Sequence, residues 1–213
     1  MPLIFNGNEP KNITYNDNDV KKVIYNGNVV WEKSGGDINY IEYLSGDGEY
    51  LNTGIYPTQN TKIDFEVEMQ SSSQYRGVIG CRNSNSFACF TGRLNQDTVW
   101  RFDRGGSQFN SWKKITVGEK VNIVIDKNKM YIDNTLYYKY PDIEFSVNQP
   151  IYIFAVNDNG SPYSTSKMKL YSCKIYHNDV LVGDFRPCLD TNNIECLYDE
   201  VSKQYFYKQR VGV

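Results

Sequence analysis

The chain has 213 residues, of which 40% are hydrophobic and 23% charged, so its composition is that of an ordinary globular protein. Its formal net charge is −2, which argues against a nucleic-acid partner because phosphate contacts need a concentrated basic face. The sequence contains no run of about 18 apolar residues and therefore predicts no membrane-spanning helix.

The aromatic content favours strands over helices. The chain has 18 Tyr and 10 Phe but only 3 Trp. Tyrosine-rich chains with many Asn residues and few Ala or Leu favour β-strands joined by tight turns. We therefore expect an all-β protein.

Residues 1–33 form a degenerate repeat in which short apolar segments precede turns that begin with Asn. The third repeat places Asn26-Gly27 between Lys22–Tyr25 and residues 28–31, and Asn-Gly is the strongest short signal for a β-hairpin. A sheet this small is only marginally stable in water, so we expect it to pack against another surface. We predict that residues 1–33 are an attachment module whose contacts are made by Ile24, Tyr25, Val30 and Trp31.

A linker follows at residues 34–37, where two adjacent glycines interrupt the strand-like pattern. From residue 38 to residue 213 the chain is a succession of short alternating runs separated by turn clusters. The candidate strands are 40–44, 50–52, 62–69, 76–81, 87–91, 98–102, 120–126, 129–132, 135–140, 150–155, 168–177, 180–187, 194–199 and 204–207.

The alternation is complete in residues 63–69, where apolar residues at every second position alternate with acidic ones. Residues 121–132 and 174–182 each predict a hairpin with a polar turn at its centre. Many short strands without an amphipathic helix predict a β-sandwich or jelly roll for residues 38–213.

Several segments of the second part resemble one known family. Tyr50-Leu51-Asn52-Thr53-Gly54-Ile55, Ile153-Phe154-Ala155, the run 169–176 and the run 184–188 occur in the order expected of a laminin-G or concanavalin-like domain common in phages and prophages. The resemblance covers about residues 40–207. It implies a concanavalin-like jelly roll, but a fold does not determine a ligand.

Residues 21–31 are separately similar to a short segment at the start of phage tail and accessory virion proteins. The two resemblances together imply a structural virion protein, such as a capsid decoration or a tail or baseplate accessory. Its expected partners are other virion proteins and a host-surface glycan, and it is expected in many copies or as a homo-oligomer. The expected location is the virion, assembled in the host cytoplasm. The alternative is a carbohydrate-binding module or carbohydrate-active enzyme of bacterial or prophage origin.

Residues 100–106, together with Trp112, are the most ligand-like stretch. Sugars stack their apolar ring faces on aromatic side chains, while Asp, Asn and Arg bind their hydroxyl groups. The alternation of a strand favours another interpretation, in which Trp100 and Phe102 face the core while Arg101 and Asp103 face water. The candidate ligand-binding residues are Trp100, Arg101, Asp103, Arg104 and Trp112.

We do not expect an enzyme. His177 is the only histidine and lies in a predicted turn, where no acid is positioned to make it a general base. Asp64, Glu66 and Glu68 share one strand face, which suits either a cleft or a solvated outer surface. The spacing of paired carboxylates found in related glucanases is absent.

Calcium is the one cofactor for which the sequence offers candidate ligands, and we expect that no calcium ion is bound. Asp126, Asn128, Asp133 and Asn134, or the run 157–160, could offer oxygen ligands. Clusters of Asn, Asp and Gly are more typical of turns, and this is the interpretation that we favour.

The five cysteines are an odd number without a C-x-x-C pair, which excludes the common zinc spacings and a closed disulfide framework. We expect reduced, buried thiols. The first residues lack the basic and apolar segments of a signal peptide, so we expect that, if the protein works outside the cell, it is released by lysis and not by secretion.

Overall fold

The structure is a computed structural model that describes residues 13–15, 18–20, 22–25, 28–32, 38–72, 76–83, 89–94, 99–142, 144–145 and 147–210. The chain divides into two compact units, Met1–Asn39 and Tyr40–Val213. Within the described residues there is no helix, and hence none that is long and apolar enough to cross a membrane.

The first unit contains two small antiparallel sheets. One joins β1 (Ile13–Tyr15) to β2 (Asn18–Val20), and the other joins β3 (Lys22–Tyr25) to β4 (Asn28–Glu32). Tyr25 lies opposite Asn28, so β3 and β4 form the hairpin that the sequence predicts. The side chains of Ile24, Tyr25, Val30 and Trp31 lie outside the described part of the chain, and their role in attachment stays a prediction.

From residue 39 onward the described residues form nineteen strands in chain order. They are β5 (Asn39–Tyr40), β6 (Leu44–Gly46), β7 (Glu49–Asn52), β8 (Thr61–Met69), β9 (Gly77–Arg82), β10 (Cys89–Leu94), β11 (Val99–Arg104), β12 (Ser107–Lys114), β13 (Lys120–Asp126), β14 (Lys129–Ile132), β15 (Thr135–Lys139), β16 (Tyr152–Ile153), β17 (Val156–Asp158), β18 (Ser161–Tyr163), β19 (Met168–His177), β20 (Val180–Leu189), β21 (Glu195–Asp199), β22 (Gln204–Phe206) and β23 (Gln209–Arg210).

These strands form two sheets. The first has the order β15-β14-β13-β8-β19-β20-β21-β22, with β5 paired to β20 and β6 paired to β19; we call it the ten-stranded sheet. The second has the order β12-β11-β10-β9-β16-β7-β23, with β17 paired to β9 and to β18; we call it the nine-stranded sheet. Neighbouring strands along both orders are antiparallel, whereas β17 runs parallel to β9.

One hydrophobic core lies between the two sheets. Strand β8 shows why: Ile63, Phe65, Val67 and Met69 are at most 1% exposed, while the charged residues between them are on the outer face. The nine-stranded sheet contributes inward residues such as Ile79 and Phe102 to the same cluster. Because successive side chains of a strand point to opposite faces, the alternation in the sequence places one apolar face of each sheet against the other. The predicted all-β sandwich is confirmed.

A chain reversal at Phe154 links two strands of opposite direction. Strand β16 runs antiparallel to β9, and β17, only three residues later, runs parallel to it. Phe154 has a positive φ of 68°, which is unusual for a non-glycine residue and allows the tight reversal. Its buried ring lies directly over Gly46, where a Cβ atom would overlap it. The Ile153-Phe154-Ala155 segment thus has a structural role.

Candidate functional site

Strand β11 carries most of the predicted ligand-binding stretch, and two of its residues point into the core. Trp100 and Phe102 are each 1% exposed and belong to the hydrophobic cluster. No face of the Trp100 indole is therefore available for stacking on a sugar, and its assignment as a ligand-binding residue is corrected. The alternative interpretation, in which these two residues face the core, agrees with the structure.

Arg101 and Asp103 lie on the opposite face of β11. Arg101 Nε donates to Asp103 Oδ1 at 2.9 Å, and the Asp103 carboxylate is only 5% exposed. The expectation that Asp103 faces water is therefore wrong. Its burial is tolerated because the carboxylate is paired with the guanidinium of Arg101.

Arg104, at the end of β11, is a buried cation at the end of the sandwich. It is 4% exposed, and its Nη2 donates to the carbonyl oxygen of Gln59 at 2.9 Å. Its Nη1 lies 3.5 Å from the carbonyl oxygen of Pro141, and the guanidinium lies 5.2 Å from the centre of the Phe145 ring. Burial lowers the pKa of Arg104 from its ordinary value, although Asp142 opposes this shift. The guanidinium stays charged, since its ordinary pKa is far above neutrality.

Arg104 lines a polar cavity that we call the end cleft. The cavity has a volume of about 450 Å³, which lies within the range of ligand pockets. Its lining comes from three separate turns and loops and from the end of β11. The lining residues are Gln59, Asn60, Arg104, Lys127, Asn128, Asp142 and Glu144.

Backbone hydrogen bonds tie the walls of the end cleft to one another. The amide of Lys127 donates to the carbonyl of Thr61 at 3.2 Å, which joins the β13–β14 turn to the start of β8. The amide of Tyr140 donates to the carbonyl of Asn128 at 2.6 Å, which joins the same turn to the following loop. These bonds do not depend on a ligand, so the cleft is preorganised.

The side chains at the rim are partly engaged. Lys127 Nζ lies 2.9 Å from Asp179 Oδ2, and this hydrogen bond raises the pKa of Lys127. Asn128 Nδ2 donates to the carbonyl of Tyr140 at 3.2 Å and to Asp142. Glu144 is exposed and has no hydrogen-bond or ion-pair partner among the described residues. The cleft therefore offers a ligand amide, carboxylate and cationic groups, some of which are held in place by hydrogen bonds within the protein while others can adjust.

Sequence reasoning identified Arg104 and missed most of the other lining residues. The sequence indicates Asn128 only as a possible calcium ligand or a turn residue. The sequence feature that could have revealed these residues is the recurrence of polar residues in the turns at one end of the hairpins. Trp112 lies on β12, but its side chain is outside the described part of the structure.

The two catalytic hypotheses lack supporting geometry. His177 ends β19, and its buried Nε2 has no hydrogen-bond partner. Burial lowers the pKa of His177, and a hydrogen bond with the Tyr56 backbone opposes that shift. Along β8, Asp64 accepts a hydrogen bond from Asn122 at 2.8 Å and Glu66 pairs with Lys120 at 3.0 Å. These carboxylates lie on the outer face of the sheet.

The segments considered for calcium form hydrogen-bonded turns. Asp133 accepts from the amide of Asn122 at 3.0 Å and from Lys113 at 2.5 Å. Asn157 accepts from the amide of Gly160 at 2.8 Å. Among the described residues, no three His, Cys, Asp or Glu side chains group as a metal site. The preference for turns over calcium ligands stays a prediction.

Comparison with known proteins gives similarity of structure only. No protein-family model and no curated protein matches the sequence. Many solved structures are similar to this chain, and three examples superimpose with TM-scores above 0.5. The first is a protein from Bacteroides ovatus described as a candidate carbohydrate-binding protein, with a TM-score of 0.55 and 7% identity over 82% of this chain and 61% of that one. The second is a variant of the NanB sialidase from Streptococcus pneumoniae, with a TM-score of 0.53 and 9% identity over 66% of this chain and 26% of that one. The third is the CBM40 of the Ruminococcus gnavus IT-sialidase bound to α2,3-sialyllactose, with a TM-score of 0.52 and 10% identity over 68% of this chain and 95% of that one.

These similarities establish the fold. This chain shares a concanavalin-like jelly roll with these proteins, which confirms the fold expected from the sequence. It spans 61% of the length of the Bacteroides protein and 26% of the sialidase, but the CBM40 is matched over 95% of its length. The common element is therefore one jelly-roll domain.

Proposed function

We propose that this protein is a lectin-like carbohydrate-binding domain and that the end cleft holds part of a glycan. The observation that carries the proposal is the combination of groups around one preorganised cavity: Arg104 and Lys127, the Asn60 and Asn128 amides, and the carboxylates of Asp142 and Glu144. A sugar hydroxyl both donates and accepts a hydrogen bond. It can therefore bridge a carboxylate to an amide or a cation, which an apolar ligand cannot do.

The charge of the end cleft fits a hydroxyl-rich ligand. Arg104 and Lys127 are opposed by Asp142 and Glu144, so the lining carries no strong excess of either sign. Arg104 is held by the backbone carbonyls of Gln59 and Pro141 before any ligand arrives, so its ordering does not weaken binding. This arrangement favours many moderate hydrogen bonds over one strong ionic contact.

The structural neighbours support the same class of function. The Ruminococcus module was determined with α2,3-sialyllactose bound, and the Bacteroides protein is described as a candidate carbohydrate-binding protein. At 7 to 10% identity their ligands do not transfer to this chain. The argument for a glycan therefore rests on the end cleft, with the neighbours as support.

We propose that the domain binds a glycan without hydrolysing it. A glycosidase needs one carboxylic acid kept protonated by a desolvated environment beside a second carboxylate. Asp142 and Glu144 both line the end cleft, but both are exposed. A carbohydrate-active enzyme is the competing function, and its product would be new reducing ends.

We further propose that the domain is displayed on a virion in many copies, assembled in the host cytoplasm beside capsid or tail proteins. Support comes from the sequence resemblances of residues 21–31 and 40–207 to phage proteins. Many copies on one particle would turn weak individual sugar contacts into strong avidity. Mass spectrometry of purified particles from a host that carries the gene tests this setting, and absence of the chain from them would refute it.

The end cleft is tested by binding of the full chain to immobilised glycans, followed by titration calorimetry with the best binder. Glu144→Gln removes a charge without removing a hydrogen bond or ion pair to any residue that the structure describes, so its effect reports on the ligand. We expect its affinity to fall about tenfold, as loss of one charge-assisted hydrogen bond of roughly 1.4 kcal/mol requires. Glu119→Gln is the matched control, because Glu119 is exposed and pairs only weakly with Lys113.

Two results would contradict the proposal. If Glu144→Gln and Glu119→Gln bind equally to the same glycan, the end cleft is not the site. If reducing ends accumulate when the protein is incubated with that glycan, and a boiled sample releases none, the protein is an enzyme.

A further inference from the structure

A second cavity, which we call the face groove, lies on the outer surface of the ten-stranded sheet. Its volume is about 390 Å³, and it shares no lining residue with the end cleft. Strand β5 pairs with β20, and the amide of Ile41 donates to the carbonyl of Pro187 at 3.0 Å, so the segment after β5 forms one wall. The residues that the argument uses are Tyr40, Tyr171, Lys174, Asp184, Arg186 and Pro187.

Asp184 lines the face groove with an acceptor that the protein does not use. The residue is 6% exposed, and its Oδ1 has no hydrogen-bond partner in the structure. Its Oδ2 has one long contact of 3.4 Å from Arg186 Nη2. Buried polar atoms are nearly always hydrogen-bonded, and a buried carboxylate oxygen without a donor is costly. Oδ1 is itself shielded from solvent, so a ligand hydroxyl in the groove would donate to Oδ2, the carboxylate oxygen that has only the long contact with Arg186.

Lys174 provides an unused donor beside Asp184. On the sheet Lys174 lies directly opposite Asp184 on one side and directly opposite Asp64 on the other. Its ammonium group nevertheless has no ion-pair or hydrogen-bond partner among the described residues. The groove therefore presents an acceptor and a donor from adjacent strands, where side chains directly opposite each other are about 5 Å apart at Cβ.

Two tyrosine rings give the face groove an apolar wall that is fixed in place. The Tyr40 ring is 43% exposed, and its hydroxyl donates to Glu200 Oε1. The Tyr171 hydroxyl donates to Glu68 Oε2 at 2.5 Å. Both hydroxyls are therefore held away from a ligand's polar edge, and the rings keep their orientation. Such rings are suited to contact with the C–H face of a pyranose.

We infer that the face groove is a second glycan-binding site and that it takes a neutral pyranose with two adjacent hydroxyl groups. One hydroxyl donates to Asp184 Oδ2 and the other accepts from Lys174, while the sugar ring lies against Tyr40. Lys174 and Arg186 also line the groove, but Lys174 lies between Asp184 and Asp64 on the sheet and Arg186 contacts Asp184. These carboxylates balance the two cations, so the carboxylate of an acidic sugar beside the buried charge of Asp184 would be repelled. The groove can bind whether or not the end cleft does, since the two share no residue.

The test uses the full chain labelled with ¹⁵N and titrated with methyl α-glucopyranoside, methyl α-mannopyranoside and methyl β-galactopyranoside, and separately with glucuronate. We expect at least one neutral glycoside to shift the backbone signals of residues 171–174 and 184–187, with glucuronate at least tenfold weaker. Lys174→Ala should lower the affinity at these residues by at least tenfold, while Lys139→Ala, an exposed lysine of β15, should not change it. Asp184→Asn is the second variant and should weaken binding with the fold retained.

Any other pattern of shifts would contradict either the face groove or the end cleft as a glycan-binding site. No shifts at residues 171–174 and 184–187, equal shifts with glucuronate, or shifts that survive both variants would overturn the face groove. Shifts confined to residues 59–60, 127–128 and 142–144 would overturn it while supporting the end cleft. Shifts confined to the face groove would support this inference and count against the end cleft.

Discussion

The carboxylate of Asp199 accepts a hydrogen bond of 2.7 Å from the backbone amide of Asp184, and this contact fastens the turn after β21 to strand β20. The same carboxylate accepts from the amides of Val201 at 3.1 Å and Ser202 at 2.9 Å. Asp199 is 3% exposed. Burial alone would raise its pKa, but the hydrogen bonds from Ser202 and Asp184 outweigh burial and hold the pKa below its ordinary value of 3.8.

Replacing Asp199 should destabilise the sandwich strongly. We expect Asp199→Ala to lower the free energy of unfolding by about 3 kcal/mol, because it leaves the buried amide of Asp184 and the part-buried amides of Val201 and Ser202 without an acceptor. Urea denaturation at neutral pH measures this. The control is Asp47→Ala, which removes an exposed ion pair with Lys167 and should change stability by less than about 1 kcal/mol. Equal effects of the two variants would show that the Asp199 contacts are not important for stability.

The strands that the sequence predicts best are those with one buried and one solvated face. Strands β8, β13 and β19 have nearly the predicted bounds, because apolar residues alternate throughout β8 and β13 and with a single break in β19. Strand β12 was missed, since inward positions such as Ser111, which is 1% exposed, carry polar residues there. The predicted strand 40–44 is two short strands, β5 and β6, that pair with different neighbours.

The candidate sites could be predicted only in part. Consecutive residues of one strand point to opposite faces, so the stretch from Trp100 to Arg104 could not act as one site. The end cleft brings Gln59, Arg104 and Glu144 together through sheet pairing that short-range patterns do not reveal. The face groove depends on Asp184 lying opposite Lys174. This register is set by the hairpin turn at Asn178 and Asp179, both of which have positive φ, together with a register shift between Ile175 and Tyr176.

His177 should make stability fall as the pH drops below its ordinary pKa of 6.5. Burial lowers the pKa of His177 in the folded protein below its ordinary value of 6.5. The unfolded chain therefore binds a proton first as the pH falls, so stability decreases below about pH 6.5 and recovers above it. His177→Gln should flatten this slope in thermal melts, because the chain has no other histidine. A slope that stays unchanged in the variant would contradict this assignment.

Gly77 should be intolerant of any side chain. A Cβ atom there would lie 2.7 Å from the amide nitrogen of Val156 and 2.8 Å from the carbonyl oxygen of Ser164, both backbone atoms. We expect Gly77→Ala to cost about 3 kcal/mol in urea denaturation, at the upper end of typical overpacking effects. Gly183→Ala is the comparison, with an expected cost of about 1 kcal/mol, because its Cβ would meet the ends of the Phe185 and Ile55 side chains, which can move. Equal costs would mean that the backbone near Gly77 yields as easily as a side chain.

The four cysteines whose burial the structure describes should react only after unfolding. Cys81, Cys173, Cys188 and Cys196 are free thiols with 0% exposure. Burial and the hydrogen bond with Cys188 raise the pKa of Cys196 to about 12, so its reactive thiolate is scarce. Alkylation followed by mass measurement should label five thiols per denatured chain. A chain that takes only three labels would point to a disulfide between Cys188 and Cys196, whose sulfur atoms lie 3.5 Å apart.

The sandwich should fold without the first unit. Residues 1–33 were predicted to be a separate module, and the unit Tyr40–Val213 has its own hydrophobic core, formed by residues from both large sheets. A core of this size needs no support from a module that is too short to offset its own ordering entropy, about 1–2 kcal/mol per residue. We therefore expect a chain that starts at Asp37 to melt within about 2 °C of the full chain, a difference of less than roughly 1 kcal/mol. Trp31→Ala in the full chain should also leave the melting of the sandwich unchanged. A truncated chain that fails to fold, or that melts far below the full chain, would show that the first unit is part of the sandwich.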